Sequence, residues 1–289
     1  MILVTGATGT SGREILKALA ARGVAAKAMV RSTDTSPELP NGITTVRGDF
    51  DNEASLLKAL AGVERAFLLT PSTERAEEQQ IRFVDAAARA GVRHIVKLSQ
   101  FAAAPDSPVR FLRYHAAVEA KIRASGLQWT FLRPNLFMQG LLQFAGMIRD
   151  KGMIAAPVGD ARVSVVDVRD NAAVTAVALT EDGHEGRTYT LTGPEALTHA
   201  EMAEKLSAAT KRTIAFTDAS GDDMRQAMAG VTMPEWQIEG LIEDYAHYHR
   251  GEAAVIAPGV RDATGQEPRP FDGFARDYAG AFAAEDPQP

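Results

Sequence analysis

The stretch VTGATGTSG, Val4–Gly12, places three glycines three residues apart between an apolar run and a helix-like run. That spacing suits phosphate chemistry. Gly6 permits a tight turn, Gly9 lets the backbone approach a pyrophosphate, and Gly12 lets helix and strand pack closely. The helix that opens there offers unpaired N–H groups and a partial positive charge to an anion. Thr8, Thr10 and Ser11 lie between these glycines and are counted with them as cofactor contacts. The bland alternative is a glycine turn with no ligand.

A second group with chemical potential is RYHAAVEAKIRASG, Arg113–Gly126. A phenol acidified by a lysine four residues later, one helical turn and about 6 Å of rise away, is a good proton donor. After Tyr114 that position holds Val118, and Lys121 comes seven residues on, about 10.5 Å along the axis. The ammonium is poorly placed to tune this phenol. His115 and Glu119 do stand four apart on one face. A carboxylate there would orient the imidazole and favour its charged form. Tyr114 adds a hydrogen-bond donor. The alternatives are a partly exposed helix pair and an aromatic packed beside a cleft.

Further candidates follow the ends of apolar runs. The run AMVRST carries Arg31 and no carboxylate until Asp34. An acidic residue there would bind a ribose 2′-hydroxyl, whereas a permanently charged guanidinium suits a 2′-phosphate. NADP(H) is therefore expected, with NADPH preferred over NADH; Arg13 can add charge. Asp49 in RGDF is either an acceptor for the adenine amino group or a turn residue. Thr70 and Pro71 sit where the chain passes the middle of a bound cofactor. Lys97 and Ser99 in VKLSQF end another run. Side chains two apart on a strand point the same way, so both belong to the ligand side, with Ser99 able to donate to a carbonyl or touch the nicotinamide.

The elements that must position these residues alternate. Strands are expected at Ile2–Thr5, Ala26–Val30, Ile43–Asp49, Arg65–Thr70, Arg93–Ser99 and Trp129–Arg133. Helical patterns fill Arg13–Gly23, Glu53–Gly62, Glu77–Gly91 and Arg110–Ser125 between them. Repeated strand–helix units predict an α/β fold: a Rossmann-type, doubly wound parallel sheet with a smaller helix-rich C-terminal substrate subdomain. Val163–Val168 reads as a strand, and Asp170 as the cap of the helix after it; both are expected to return to the sheet. The boundaries are then 1–133 and 161–192 for the dinucleotide-binding domain, and 134–160 and 193–289 for the smaller part. Phe137–Ile148 looks helical, Thr198 opens a helix to Ala208, Thr213–Asp218 reads as a strand, and the EDPQP tail as disordered.

Composition closes off several functions. The chain of 289 residues has net charge −6, so no nucleic-acid partner is expected. With no cysteine there is no disulfide, thiolate catalysis or iron–sulfur cluster. His247 and His249 lie on different helix faces without an obvious third ligand, so no metal is expected. No apolar run reaches the ~18 residues of a membrane span, and no leader is evident, so the expected location is the cytoplasm.

Three stretches, VTGATGTSG, VEAKIRASGLQWTFLRPNLFMQGLL (Val118–Leu142) and VSVVDVRDNAAVTAVAL (Val163–Leu179), resemble the NmrA-like branch of the atypical short-chain dehydrogenase/reductases. AAPDSPV and TGPEALTHAEMAEKLSAA are similar to its NADPH-dependent azoreductases and quinone reductases. The resemblance implies NAD(P)H binding and, in enzymatic members, direct hydride transfer to quinones, azo compounds or related carbonyls. Asn135, Leu136 and Phe137, after LRP, are placed to border the nicotinamide and cover one ring face. Phe101, Phe137, Met138 and Trp236 would form a slot for a flat, small-molecule aromatic acceptor, with plain core packing as the alternative. His115, Tyr114 and Ser99 are the catalytic candidates, with no flavin and no metal. Other members are redox sensors that bind cofactor without turnover, which implies a protein partner instead. An isomerase is a third reading, and a homodimer stays open.

Overall fold

The computed structural model describes residues 1–32, 38–228 and 233–283. Asp34 and the EDPQP tail lie outside the described residues. The chain forms two compact units.

The first unit comprises Met1–Pro134, Val168–Leu191 and Gly259–Gln266. Its strands are β1 (Ile2–Val4), β2 (Ala26–Val30), β3 (Ile43–Arg47), β4 (Arg65–Leu68), β5 (His94–Leu98), β6 (Gln128–Pro134) and, after the intervening unit, β8 (Arg187–Leu191). They make one sheet in the order β3-β2-β1-β4-β5-β6-β8, parallel throughout. A parallel sheet is covered on both faces, so its central strands are buried along their length. β1 and β5 are buried at every position.

The covering helices are α1 (Thr10–Ala21), α2 (Glu53–Leu60), α3 (Ala76–Arg89), α4 (Arg110–Ala124) and α6 (Val168–Thr180). Ile15, Leu16 and Leu19 form the stripe by which α1 is buried. The start of α2 is fixed by Asn52, whose side chain accepts from Ser55 N. Phe83, Val84 and Ala87 of α3 join Val118 and Ile122 of α4 and Phe131 of β6 in one core. The short helix α10 (Gly259–Thr264) rejoins this unit near β8, where a Cβ on Gly259 would lie 2.2 Å from Thr190 O.

Strand order reverses between β1 and β4. In such sheets ligands bind beyond the carboxyl ends of the strands at that reversal.

The second unit comprises Asn135–Asp167, Thr192–Pro258 and the chain from Glu267. It holds a 3₁₀ helix (Met138–Phe144), α5 (Ala145–Lys151), β7 (Met153–Ala156), α7 (His199–Thr210), β9 (Ala215–Asp218), α8 (Gly221–Met228), α9 (Glu235–His249), α11 (Phe271–Asp277) and α12 (Ala279–Phe282). β7 and β9 pair in parallel. The core here runs from Ile148 and Val163 through Leu206 to Phe271, Phe274 and Phe282. A capping box between Thr198 and Glu201 starts α7.

Two expectations are corrected. Val163–Val168 is not a strand; it makes only the bridges Val163–Leu197 and Phe137–Val166. Its polar atoms are drawn elsewhere: Ser164 N donates to Ala253 O, and Ser164 Oγ to Val255 O. β8 takes the seventh place in the sheet. Asp170 is no cap either, because α6 begins two residues earlier, at Val168, and Asp170 is buried in its first turn. The Phe137–Ile148 pattern resolves into the 3₁₀ helix followed by α5.

Candidate active site

The glycine loop lies at the strand reversal. Gly6 takes φ 61°, a left-handed value suited to glycine. Thr5 fastens this end of β1 to the chain leaving β4: its hydroxyl shares its one hydrogen between Phe67 O (3.0 Å) and Leu69 O (2.9 Å) and accepts from Leu69 N (2.8 Å). Thr5 was not among the expected site residues, and only its tertiary partners reveal its part.

Gly9 is the N-cap of α1 and, having no side chain, leaves the first amides uncapped. No acidic residue stands in that first turn. A Cβ on Gly12 would come 2.2 Å from Gly6 O, which explains why this position carries none. Thr8, Gly9 and Thr10 are exposed and Ser11 is half-buried. A helix N-terminus left open in this way fits a pyrophosphate.

Arg31 follows the last residue of β2 and is exposed. Asp49 is half-buried and ties a turn: its Oδ1 accepts from Asp51 N at 3.0 Å, and its own N–H donates to Ser55 Oγ at 2.9 Å. That is the turn role left open in the sequence. Thr70 is buried, with its hydroxyl accepting from Gln80 Nε2 at 2.8 Å, and Pro71 beside it is exposed.

Lys97 and Ser99 both meet α4, as strand alternation predicts, and their partners there are one helical turn apart. Lys97 is 0 % exposed. Its Nζ donates to Leu98 O at 2.9 Å and lies 2.7 Å from His115 Nδ1. Ser99 Oγ donates to Glu119 Oε1 at 2.6 Å. Arg133 of β6 adds two bonds to the same carboxylate, Nε to Oε1 at 2.9 Å and Nη2 to Oε2 at 2.7 Å, and Arg123 a third at 3.1 Å.

This network corrects the expected His115–Glu119 pair. The residues share a helix face, yet the carboxylate is taken by two guanidiniums and a hydroxyl. Burial, with the Lys97 and Arg133 charges, holds the His115 pKa well below its ordinary value. The imidazole is therefore neutral near pH 7, not an imidazolium. An ammonium can only donate, so beside a protonated Lys97 the His115 Nδ1 accepts and the hydrogen sits on Nε2. That nitrogen is not the one Lys97 engages. Ser99 likewise differs from expectation, because its one hydrogen is directed to Glu119 instead of to a ligand carbonyl.

Burial raises the Glu119 pKa, but hydrogen bonds from Arg133 and Ser99, with the Arg133 and Lys97 charges, outweigh it and leave the net value lowered. Lys97 is pushed down to about 7, mainly by burial, with Glu119 opposing and Arg133 reinforcing. Tyr114 is buried, with its hydroxyl 3.2 Å from Ser72 Oγ. Lys121 pairs with Asp85 of α3 at 2.7 Å, so phenol and ammonium answer to different partners.

In the second unit Asn135 is buried. Its amide donates to Ser164 Oγ and Ala253 O, both at 2.9 Å, and its Oδ1 accepts from Leu136 N. The side chain expected at the nicotinamide is thus committed to joining separate segments of this unit. Phe137 is half-buried and, with Met138, lines an apolar cleft of about 100 Å³. His199, Met202, Leu241 and Tyr245 form other parts of that wall. Phe101 and Trp236, expected in an aromatic slot, are not among its lining residues. His199 is 1 % exposed, and burial lowers its pKa to about 4. His199 and Tyr245 were missed because they come from α7 and α9, with no shared motif to link them.

Among the described residues no group of three or more His, Asp or Glu is arranged to hold a metal, and no helix is long and apolar enough to cross a membrane.

The NmrA-like family profile matches residues 1–267. The chain is 39 % identical over 285 residues to an NAD(P)H azoreductase of Xenophilus azovorans, covering 98 % of this chain and all of the relative. It is 30 % identical over 239 residues to quinone oxidoreductase 2 of Escherichia coli, covering 81 % of this chain and 83 % of that protein. Among solved structures it resembles the triphenylmethane reductase of Citrobacter sp. complexed with NADP(H), with TM-score 0.84 and 28 % identity over 96 % of this chain and 99 % of the other.

Proposed function

The chain belongs to the NmrA-like family, and on that premise we propose that it is an NADPH-dependent reductase passing a hydride directly to a flat, electron-poor acceptor. The observation that carries the reading is the uncapped N-terminus of α1, free of acidic side chains and closed behind by Gly12. It supplies amides to a pyrophosphate, with Thr8, Thr10 and Ser11 around it. Arg31 is the contact for a 2′-phosphate, which gives the preference for NADPH. Asp49 follows β3, Thr70 and Pro71 follow β4, and Lys97 is the next-to-last residue of β5. Asn135 and Phe137 are assigned to the cofactor by their place after LRP.

The cofactor supplies the hydride when bound. The chain supplies position and a proton. No tyrosine of this sequence has a lysine four residues later. The proton donor assigned here is the His115 Nε2–H group, with Tyr114 as a second donor and Ser99 holding Glu119 in place. A neutral imidazole N–H polarises an acceptor carbonyl or azo nitrogen as charge develops. Within the second unit, the cleft of about 100 Å³ has Phe137 and Tyr245 among its walls. Quinones and azo compounds are the acceptor classes proposed, with neither flavin nor metal.

The test is oxidation of NADPH and NADH by purified protein against quinones, azo dyes and aldehydes, without added flavin. Saturable turnover with one acceptor class, favouring NADPH, supports the reading. Tight cofactor binding with no turnover on any acceptor replaces it with a redox-sensing regulator that acts through a protein partner.

A further inference from the structure

Lys97 is a lysine with no exposed surface, near the end of a central strand, with no carboxylate among its hydrogen-bond partners. A buried ammonium is costly unless well compensated. Leu or Met would fill the same volume without that cost, so packing does not account for the residue. The charged groups facing it are Glu119 from α4 and Arg133 from β6, and His115 is the titratable group in contact. Leu68, its register partner on β4, is apolar. Glu119 is occupied by Arg133, Arg123 and Ser99. What remains to Lys97 is a carbonyl and an imidazole nitrogen.

We propose that Lys97 is the proton reservoir behind His115, the two forming a relay that delivers one proton to the reduced acceptor. The inference rests on the reductase reading above.

The relay balances in a single turn. The acceptor takes two electrons as hydride from the nicotinamide cofactor and a proton from His115 Nε2. His115 Nδ1 takes a proton from the Lys97 ammonium. The imidazole ends neutral, its hydrogen moved from Nε2 to Nδ1, and Lys97 ends as an amine. Water then reprotonates Nε2, and Nδ1 returns its proton to Lys97. The net uptake is one proton from solvent. The depressed Lys97 pKa, about 7, puts both of its states within reach near neutrality. Without a recharging partner, His115 would have to become imidazolate to donate, a much poorer route.

The sign of the pH effect follows. The relay needs protonated Lys97, so the rate falls as pH rises through about 7. Lys97→Met removes that limb and slows turnover about 100-fold, within the range for lost general acid catalysis. Lys97→Arg keeps the charge and holds the tautomer but cannot release its proton, so it does not rescue the rate. A residue that merely positioned His115 would be rescued by arginine. Thermal melting of both variants checks that they fold.

A readout independent of turnover is NMR of the cofactor-free protein. Lys97 ¹³Cε is expected to titrate near 7, with the His115 ring ¹⁵N signals following the same midpoint and Nε2 carrying the hydrogen below it. In Lys97→Met the His115 signals lose that midpoint. Titration of Lys97 near 10.5, a His115 hydrogen on Nδ1 at low pH, or normal rates in Lys97→Arg overturns the relay. Turnover whose alkaline limb survives Lys97→Met overturns the relay but leaves the reductase reading standing. Coupled titration with no turnover on any acceptor overturns the reductase reading, and the relay's function with it.

Discussion

Arg133 and Glu119 form a two-point ion pair, with the carboxylate 0 % exposed and both of its oxygens engaged by one guanidinium. It joins β6 to α4 beneath the catalytic candidates. Removing one partner of a buried pair leaves the other charge uncompensated, at about 3–5 kcal/mol. Glu119→Gln should destabilise the fold by that order in urea unfolding at pH 7. The pH dependence has a definite sign. The folded-state pKa of Glu119 is lowered below 4.5, so its stabilisation is fully present above that value. It is lost as pH falls through the lower folded value. In Glu119→Gln this component of acid destabilisation disappears, and unfolding midpoints measured from pH 6 to 3 should show a flatter curve.

The glycine loop separates folding from binding. Gly12→Ala drives a methyl to 2.2 Å from Gly6 O and must displace the loop or the helix. It should abolish NADPH binding and lower the melting temperature by several degrees. At Gly9 a methyl meets Gly6 O at only 3.4 Å. Gly9→Ala should therefore melt near the wild type while weakening NADPH, because the methyl stands where the pyrophosphate approaches. Calorimetric titration beside thermal melts reads both. Equal losses of stability in the two variants would refute the division.

Arg31 offers a test of cofactor choice. Hydrogen bonds to a charged group contribute about 1.5–3 kcal/mol, so Arg31→Ala should raise the NADPH dissociation constant by roughly 10- to 100-fold. The NADH constant should barely move. If both constants shift together, the 2′-phosphate is read elsewhere.

His199 gives the second unit its own acid sensitivity. Burial depresses its pKa from 6.5 to about 4. The unfolded chain therefore binds the proton first, and stability falls as pH drops from 6.5 through about 4. His199→Leu should remove up to about 3 kcal/mol of that pH-dependent loss, with the cleft-facing volume nearly kept. Unfolding at pH 7 and pH 4.5 gives the comparison. His94, also lowered to about 4 by burial, stays in both proteins and cancels. An unchanged slope would mean His199 does not stay neutral.

The loop and its sheet were legible because their signals are local. Glycines at fixed spacing follow a buried run and open a helix, and the strand–helix alternation repeats. The site's polar network was not legible for the opposite reason. The four-residue rule offers Glu119 to His115, but Arg133, fourteen residues away, reaches the same carboxylate with two parallel bonds. A fork-shaped guanidinium outcompetes an imidazole there, and the displaced imidazole turns to Lys97, a strand residue whose burial no pattern announces. Val163–Val168 misled in a related way. It is apolar and extended, but its partners are single bridges and the carbonyls of a distant segment. Apolar runs of this length report burial more securely than they report pairing.

The first unit closes only when Gly259–Gln266 arrives, long after β6 has been made. Gly259 settles against Thr190 O with no space for a side chain. On a ribosome, the first unit therefore waits until Gly259–Gln266 has emerged. Until β8 is delivered, β6 presents a bare parallel edge, which is a template for pairing with other chains. A fragment ending at Pro134 would keep every residue of the glycine loop and still lack the seventh strand of the sheet. The order of synthesis thus binds the fate of the first unit to that of the segment inserted within it.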